Sequence, residues 1–308
     1  MSTTQPATPH VAVLGLGAMG GAMATRLVHT GFSVSGYDVN PAAMHRLQQA
    51  GGRVTTHPAA AAANTALLLI MVATAEQVES VLGGPQGALT TLPTGATLML
   101  CSTVPPAYVQ ALAQRLTAQG VELLDAPVSG GVARAADGGL TIMASGSDAA
   151  FAACDTVLAA LAAKVYRLGD TPGVGSSVKM INQLLAGVHI AAAAEAMALA
   201  ARAGLDPQVA FEVISHSAGA SWMFTNRVPH MLAGDYTPHS ALDIFVKDLG
   251  IVLDTARALR FPLPVAATAH QMFLMGAAAG LGREDDAAVV KVYEQLAGIQ
   301  VARQAGNV

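Results

Sequence analysis

The chain has 308 residues, a formal net charge of −4 at pH 7 and 53% hydrophobic residues, with aromatic residues making up only 4%. This length is enough for two domains, each with its own core. The slight negative charge, without any basic run, argues against a nucleic-acid partner. The longest uncharged runs, residues 54–75 and 80–114, are interrupted by prolines and glycines, so we expect neither to span a membrane.

The first residues and the cysteines indicate the compartment. The segment 1–6 has neither a basic region nor an apolar run, so we expect no secretory signal. Cys101 and Cys154 form no disulfide framework and no metal-ligand spacing. We therefore expect two free core thiols in a reducing cytoplasm, and no metal site.

A glycine-rich turn follows the first apolar run. Residues 11–15 predict a buried parallel strand, which leads into Gly-Leu-Gly-Ala-Met-Gly at 15–20 and an alanine-rich helix. In this spacing Gly15 makes the turn, Gly17 lets a pyrophosphate approach the backbone, and Gly20 lets helix and strand pack closely. The helix N-terminus, at Ala18 and Met19, offers N–H groups and partial positive charge to phosphates. The pattern predicts a dinucleotide site.

Asp38 ends the next predicted strand, residues 33–37. A carboxylate at this place accepts hydrogen bonds from ribose hydroxyls and repels a 2′-phosphate. No arginine follows it, because the next residues are Val39, Asn40 and Pro41. We therefore expect NAD rather than NADP.

The alternation of strands and helices continues to about residue 168, with strands predicted at 66–72, 97–100, 121–125, 140–144 and 165–168. This order predicts an α/β fold, a doubly wound and mainly parallel Rossmann sheet that binds ligands at the carboxyl ends of its strands. Met71, Val72, Ser102 and Thr103 lie at such ends and are therefore expected beside the cofactor. For the side chains of Met71 and Val72, ordinary core packing is an equally good interpretation.

Ser129, Gly130 and Gly131 follow the strand at 121–125. Successive glycines let backbone N–H groups converge into an anion-binding concavity, and the serine adds a hydroxyl donor. A substrate carboxylate would fit such a site. The alternative is a tight turn after Pro127.

Lys179 lies near the start of a proline-free stretch, residues 174–203, that predicts one long helix. It is the only Lys, Arg, Asp or Glu between Asp170 and Glu195. A lysine on an apolar helix surface is costly to keep charged, so its pKa can fall until it serves as a base. Asn182 and Gln183 share its face of the helix. The alternative is a lysine that extends to solvent beside two surface amides.

The rest of the chain predicts an all-α domain. We expect a boundary between an NAD-binding domain, residues 1–172, and a helical domain, residues 173–308, with the long helix joining them. Helices are predicted at 207–215, 241–259, 265–279 and 286–303, the last of them capped by Asp285 and Asp286.

Two residues of this domain have alternative interpretations. Trp222 belongs to a segment, 221–227, expected between helices, where it could line a cleft, although such an aromatic is more often core. Lys247 is interpreted either as an ion pair with Asp243 or as a cation that reaches into the cleft between the two predicted domains.

Four motifs together resemble the β-hydroxyacid dehydrogenases: the glycine loop, Asp-Ala-Pro-Val-Ser-Gly-Gly at 125–131, Gly-x-Gly-x-x-x-Lys-x-x-Asn at 173–182 and Lys-Asp-Leu at 247–249. The resemblance implies a catalytic role for Lys179, substrate carboxylate binding by residues 129–131, substrate positioning by Asn182, and places beside the nicotinamide for Thr103 and Lys247. Many family members have Asn-Asn where this chain has Asn182 and Gln183. The resemblance therefore implies amide chemistry at both positions, but no particular contact for Gln183.

The resemblance also implies a reaction. It predicts an NAD-dependent enzyme of carbohydrate metabolism that oxidises a hydroxyl of a small hydroxy acid and forms a homodimer or homotetramer. Segments 221–236 and 243–254 are most similar to the L-threonate branch, which predicts oxidation to 2-oxo-tetronate. The alternatives are oxidation of 3-hydroxyisobutyrate or D-glycerate, and an NAD-sensing protein without catalysis. Imine reductases share the fold but generally lack a lysine at the place of Lys179.

Overall fold

The computed structural model describes residues 10–302. The prediction for the opening segment, residues 1–6, therefore lies outside the described residues. The chain divides into two compact units, Met1–Lys179 and Met180–Val308. We refer to them as the N-terminal and the C-terminal unit. The predicted functional boundary between residues 172 and 173 stays a prediction.

A six-stranded parallel sheet forms the centre of the N-terminal unit. Its strands are β1 (His10–Leu14), β2 (Ser33–Tyr37), β3 (Arg53–Val54), β4 (Leu67–Ile70), β5 (Thr97–Leu100) and β6 (Glu122–Asp125). The strand order is β3-β2-β1-β4-β5-β6, so the order reverses between β1 and β4. Ligands bind at such a reversal in α/β proteins. The doubly wound Rossmann sheet predicted from the sequence is confirmed.

Helices cover both faces of this sheet. Along β1, Val11 and Val13 belong to one buried cluster, whereas Ala12 and Leu14 belong to another on the opposite face. This alternation is the two-residue period of a strand that is buried on both sides. The connecting helices are α1 (Ala18–His29), α2 (Pro41–Gln49), α3 (Pro58–Ala62), α4 (Ala75–Leu82), a short 3₁₀ helix (Ala88–Thr90) and α5 (Pro106–Thr117).

A second sheet of three strands follows β6. It consists of β7 (Val128–Ser129), β8 (Leu140–Ala144) and β9 (Ala162–Arg167), with α6 (Gly131–Asp137) and α7 (Asp148–Leu161) between them. The prediction that the strands near 140 and 165 belong to the main sheet is therefore wrong. The chain turns back after β6 so that β7 runs antiparallel to β8, and β6 meets the second sheet through an isolated bridge between Asp125 and Ser145.

The long helix α8 spans Val174–Arg202, close to its predicted bounds. It begins in the N-terminal unit and continues into the C-terminal unit. It is long and apolar enough to cross a membrane, but 44% of its most apolar window is buried inside the protein, and core helices of soluble proteins meet the same criteria. Its second half contributes side chains one turn apart, including Ile190, Ala194 and Met197, to the core of the C-terminal unit.

The C-terminal unit is all-helical, as predicted. Its further helices are α9 (Pro207–Ser215), α10 (Trp222–Ala233), α11 (Leu242–Ala258), α12 (Pro264–Ala278), a 3₁₀ helix (Asp286–Val289) and α13 (Val290–Ala297). Phe245 of α11 stacks on Phe273 of α12, with 5.2 Å between ring centroids. Gly187 lets α8 approach α11, since a Cβ there would lie 2.9 Å from Leu249. The core of this unit is therefore built by helix-on-helix packing.

Three details of this unit differ from prediction. The segment after Ser221 is a helix, whose N-terminus is capped by the Ser221 hydroxyl accepting a hydrogen bond from the Phe224 N–H at 3.0 Å. Trp222 is 55% exposed, so its interpretation as core is wrong. The last helix ends at Ala297, because Gly298 takes a left-handed conformation, φ 60°, that stops it.

The two cysteines are free and buried, as predicted. Burial raises the pKa of the Cys101 thiol, and it raises the pKa of Cys154 to about 12. Both thiols are therefore protonated at neutral pH and belong to the core of the N-terminal unit.

Candidate active site

The glycines of the 15–20 loop have different structural roles. Gly15 has φ +90°, and a Cβ there would lie 2.4 Å from the Met71 carbonyl oxygen. A Cβ on Gly20 would lie 2.0 Å from the Gly15 carbonyl oxygen, so α1 packs on the loop only because Gly20 lacks a side chain. Gly17, by contrast, faces open space, with no atom within 4 Å of a Cβ placed there. The loop is therefore closed on the protein side and open at Gly17, the arrangement that a pyrophosphate needs.

Asp38 lies directly beside this loop. Its Oδ2 accepts a hydrogen bond from the Leu16 N–H at 2.6 Å, and its Oδ1 accepts one from the Asn40 N–H at 2.7 Å. These bonds hold the carboxylate in one orientation at the end of β2. Each oxygen has a second lone pair that a ribose hydroxyl could use.

The carboxyl ends of β4 and β5 lie next to the loop. The Met71 N–H donates to the Leu14 carbonyl at 2.9 Å, which extends the ladder by one residue past β4. The Val72 N–H donates to the hydroxyl of Ser102, a fully buried side chain, at 3.0 Å. Thr103 follows directly. The structure thus gathers these predicted cofactor residues at one edge of the sheet.

Ser129 ends β7, opposite Thr141 of β8, and is half-buried. Gly130 and Gly131 follow with φ +135° and +74°, which any other residue would adopt only under strain. The chain can turn directly into α6 because of this pair. The turn and the anion concavity proposed for this segment are compatible, since positive φ at both positions is what reorients the N–H groups.

Asp125 is a residue whose side chain the sequence analysis did not single out. It is fully buried at the end of β6, and it accepts hydrogen bonds from the N–H groups of Gly173 and Ser176, both at 2.8 Å. The Ser176 hydroxyl donates to its other oxygen at 2.7 Å. The Ser145 hydroxyl donates to Asp125 at 3.3 Å and accepts from the Gly175 N–H at 3.0 Å.

The Asp125 carboxylate therefore caps α8 from outside the helix. Burial raises the pKa of Asp125, and the hydrogen bonds from Ser176, Gly173 and Ser145 counteract part of the rise. The sequence feature that could have identified Asp125 is a single carboxylate at the end of a predicted strand. Its partners are 48 and 51 residues away in sequence, so nothing local identifies them.

Lys179 lies three residues after Ser176 on α8 and is 7% exposed. The interpretation as a solvent-directed lysine is therefore wrong. Asn182, three residues further, is on the same helix face. The structure thus places a buried amine in the first turns of α8, directly after the segment that Asp125 holds.

In the C-terminal unit, polar groups form a chain that begins at Asn182. Its Nδ2 donates to Gln183 Oε1 at 3.0 Å, and Gln183 Nε2 donates to Asp248 Oδ2 at 2.5 Å. Lys247 Nζ lies 2.8 Å from Asp248 Oδ1, so the ion pair seen for Lys247 is with Asp248, where the sequence suggested Asp243. Gln183 and Asp248 are buried. Both ends of the Gln183 amide are thus engaged inside the protein.

No group of three or more His, Cys, Asp or Glu side chains between residues 10 and 302 is arranged to hold a metal ion. The candidate site residues described above offer an amine, amides, hydroxyls, carboxylates and two glycine-rich turns.

Comparisons with known proteins match nearly the whole chain. Residues 10–169 match the NAD binding domain of 6-phosphogluconate dehydrogenase. Residues 173–293 match a family described as NAD-binding of NADP-dependent 3-hydroxyisobutyrate dehydrogenase.

Individual relatives are similar over the same range. The L-threonate dehydrogenase of Cupriavidus necator is 55% identical over 284 residues, 92% of this chain and 96% of the relative. The human mitochondrial 3-hydroxyisobutyrate dehydrogenase is 33% identical, over 92% of this chain and 87% of its own. A crystal structure from Salmonella typhimurium, described as 3-hydroxyisobutyrate dehydrogenase, has 52% identity and a TM-score of 0.87, and covers 92% of this chain and 99% of its own.

Proposed function

Since the chain belongs to the β-hydroxyacid dehydrogenase family, we propose that it oxidises L-threonate at C2 to 2-oxo-tetronate. The chain is a hydroxyacid dehydrogenase that uses a nicotinamide dinucleotide. The choice of L-threonate is supported by the 55% identity to a dehydrogenase of that name. The observation that carries the reaction type is the buried amine of Lys179 on α8, with Asn182 on the same helix face.

Lys179 is the proposed acid–base residue. It removes the hydroxyl proton at the reacting carbon and returns it in the reverse direction. An amine acts as a base only when it is neutral, so the proposed step uses the neutral form of the Lys179 amine. A bound nicotinamide supplies the hydride acceptor.

Residues 129–131 bind the substrate carboxylate in this proposal. The Ser129 hydroxyl and the N–H groups of Gly130 and Gly131 are donors on a rigid turn, so the acid is held in one orientation. Asn182 bonds a hydroxyl of the substrate. Gln183 contributes through Asn182, because its own amide is already bonded at both ends.

NAD is the proposed cofactor rather than NADP. In this proposal the loop at 15–20 and residues 71, 72 and 103 would hold the dinucleotide, and Lys247 would contact its nicotinamide. Asp38 supports the preference, since its carboxylate is already oriented beside Leu16 and would repel a 2′-phosphate there.

We further propose a cytoplasmic homo-oligomer that serves carbohydrate metabolism. Apolar side chains on the outer face of α8 support the association: Ile181 is 53%, Leu185 49% and Leu199 67% exposed. A second copy of the chain would remove this apolar surface from water. The buried, unpaired thiols agree with a reducing compartment.

The substrate is tested with a panel of acids and NAD, by following the absorbance of the reduced cofactor. L-threonate should have kcat/KM at least about tenfold above D-glycerate and 3-hydroxyisobutyrate. The Salmonella structure favours 3-hydroxyisobutyrate as the second candidate. If 3-hydroxyisobutyrate or D-glycerate has a kcat/KM about tenfold above that of L-threonate, the proposed substrate is wrong but the proposed reaction type stands. Binding of NAD without turnover of any acid would instead favour a sensing protein.

A further inference from the structure

The start of α8 is in unusually close contact with the two sheets of the N-terminal unit. A Cβ on Gly175 would lie 2.4 Å from the Met143 carbonyl oxygen and 2.9 Å from that of Asp125. Gly173 has φ +104°, and a Cβ there would lie 2.8 Å from Gln110. Gly175 is thus required for the helix to begin against the backbone of β6 and β8, and Gly173 for a positive φ and a close approach to α5. The proposed reaction assigns them no role.

Several hydrogen bonds from the start of α8 are accepted by the Asp125 side chain. Its carboxylate bonds the N–H groups of Gly173 and Ser176 and the Ser176 hydroxyl, and Ser145 adds the N–H of Gly175. Asp125 is itself held by the backbone bridge to Ser145, with N–H···O distances of 3.0 and 2.8 Å. The first N–H groups of a helix have no partner inside the helix. Here a buried carboxylate from a strand end supplies the partner, and its charge favours the positive end of the helix.

The same residue is connected to both proposed catalytic elements. Lys179 follows Ser176 by three residues, about 4.5 Å along the helix axis. Ser129 follows Asp125 by four residues, and β7 in between is paired with β8. A shift of the α8 start on the sheet would therefore move the Lys179 amine with respect to Ser129.

We infer that Asp125, through Ser176 and the first turn of α8, is a positioning residue that sets the place of Lys179 for proton transfer. This inference rests on the proposed acid–base role of Lys179. It predicts that loss of the Asp125 carboxylate slows the chemical step while binding of NAD and of the acid is preserved, because the glycine loop and the Ser129 turn are held by other contacts.

The test is a double-mutant cycle with Asp125→Asn and Lys179→Met, measured as the single-turnover rate of NADH formation from L-threonate, or from the best acid of the panel. Asp125→Asn keeps the shape but loses the negative charge and one acceptor oxygen, so it cannot accept the two N–H bonds and the Ser176 hydroxyl bond together as the carboxylate does. Misplacement of a reacting group by about 1 Å can lower a rate about 100-fold, which is the expected effect. In the Lys179→Met background the same change should have no further effect, since there is no amine left to position.

A purely structural role predicts a different result. Asp125→Asn would then lower the rate equally in both backgrounds, or weaken NAD binding in parallel, and either result overturns the inference. If Asp125→Asn keeps the parent rate while Lys179→Met is inactive, the inference about Asp125 is overturned but the proposed acid–base role of Lys179 stands. If Lys179→Met keeps a tenth or more of the parent rate, the proposed acid–base role fails and the inference fails with it.

If Asp125→Asn does not fold, a milder pair of variants tests the positioning role of Asp125. Ser176→Ala removes the hydroxyl bond to Asp125, and a fall of roughly tenfold is expected for a bond to a charged group. Ser177→Ala is the matched control, because that hydroxyl bonds the Gly173 carbonyl instead. Equal rates for the two variants overturn the inference.

Discussion

The side chains of individual site residues are held in place by different kinds of neighbours. Asp38 is held by two backbone N–H groups, that of Leu16 in the glycine loop and that of Asn40 two residues after it. Its orientation is therefore independent of any ligand. Gln183 is the opposite case, because its amide is held by Asn182 and Asp248. Its contact with a substrate stays a prediction.

The preference for NAD is tested at Asp38. Asp38→Ala removes the carboxylate that would repel a 2′-phosphate, so the ratio of kcat/KM for NAD over NADP should fall. Efficiency with NAD itself should also fall, since hydrogen bonds to a charged group contribute about 1.5–3 kcal/mol. Asp155→Ala, which removes an exposed carboxylate on α7, is the control for net charge. Equal use of both cofactors by the parent would contradict the assignment.

At the scale of elements, the same residue type has separate functions within one loop. Gly17→Ala should leave stability unchanged, because the position has φ −60° and open space around it, yet it should weaken NAD binding. Gly20→Ala should lower both the stability and the NAD affinity, since its Cβ would overlap the Gly15 carbonyl and overpacking costs about 1–3 kcal/mol. Thermal unfolding and NAD titration measure the two effects. Parent-like NAD affinity in Gly17→Ala would rule out close phosphate approach at Gly17.

The contact between α10 and the second 3₁₀ helix depends on a buried ion pair. Arg227, 11% exposed, bonds the fully buried Asp286 with its Nε 2.5 Å from Oδ1. Burial raises the pKa of Asp286, and Arg227 counteracts the rise. Arg227→Met should therefore destabilise the protein by about 3–5 kcal/mol at neutral pH, as for other broken buried pairs.

The loss should depend on pH in a defined direction. Without Arg227 the pKa of Asp286 rises further above its unfolded value, so folding then favours the protonated acid. The penalty is absent below the unfolded pKa, where both states carry the proton, and it grows as pH rises toward the folded pKa. Urea unfolding at about pH 5 and about pH 8 should show the larger loss at the higher pH. Arg257→Met is the control, because its pair with Asp254 is mostly exposed. A loss independent of pH would contradict the mechanism.

At the scale of the whole molecule, the exposed apolar face of α8 predicts association. Light scattering should give a multiple of the 31.1 kDa chain mass. Leu199→Glu places a charge on that face and should shift the protein toward the monomer. Gln114→Glu, an added charge at an exposed position of α5, should not. A parent protein that is monomeric at all concentrations contradicts the proposed oligomer.

Local patterns in the sequence determined much of this protein. The positions of the glycine loop, Asp38 and the long helix follow from backbone sterics and from the periods of buried strands and helices, which act within a few residues. The same reasoning missed α10, because Pro229 and an exposed Trp222 obscure its helical pattern.

Only the tertiary structure decided which distant groups meet. The place of the later strands in a second sheet, the capping of α8 by Asp125 and the pair of Arg227 with Asp286 join residues separated by between 12 and 59 positions. Burial of a polar group demands a partner, but it does not specify where in the chain that partner lies. The choice is made when sheets and helices pack, because packing determines which donor reaches the buried acceptor.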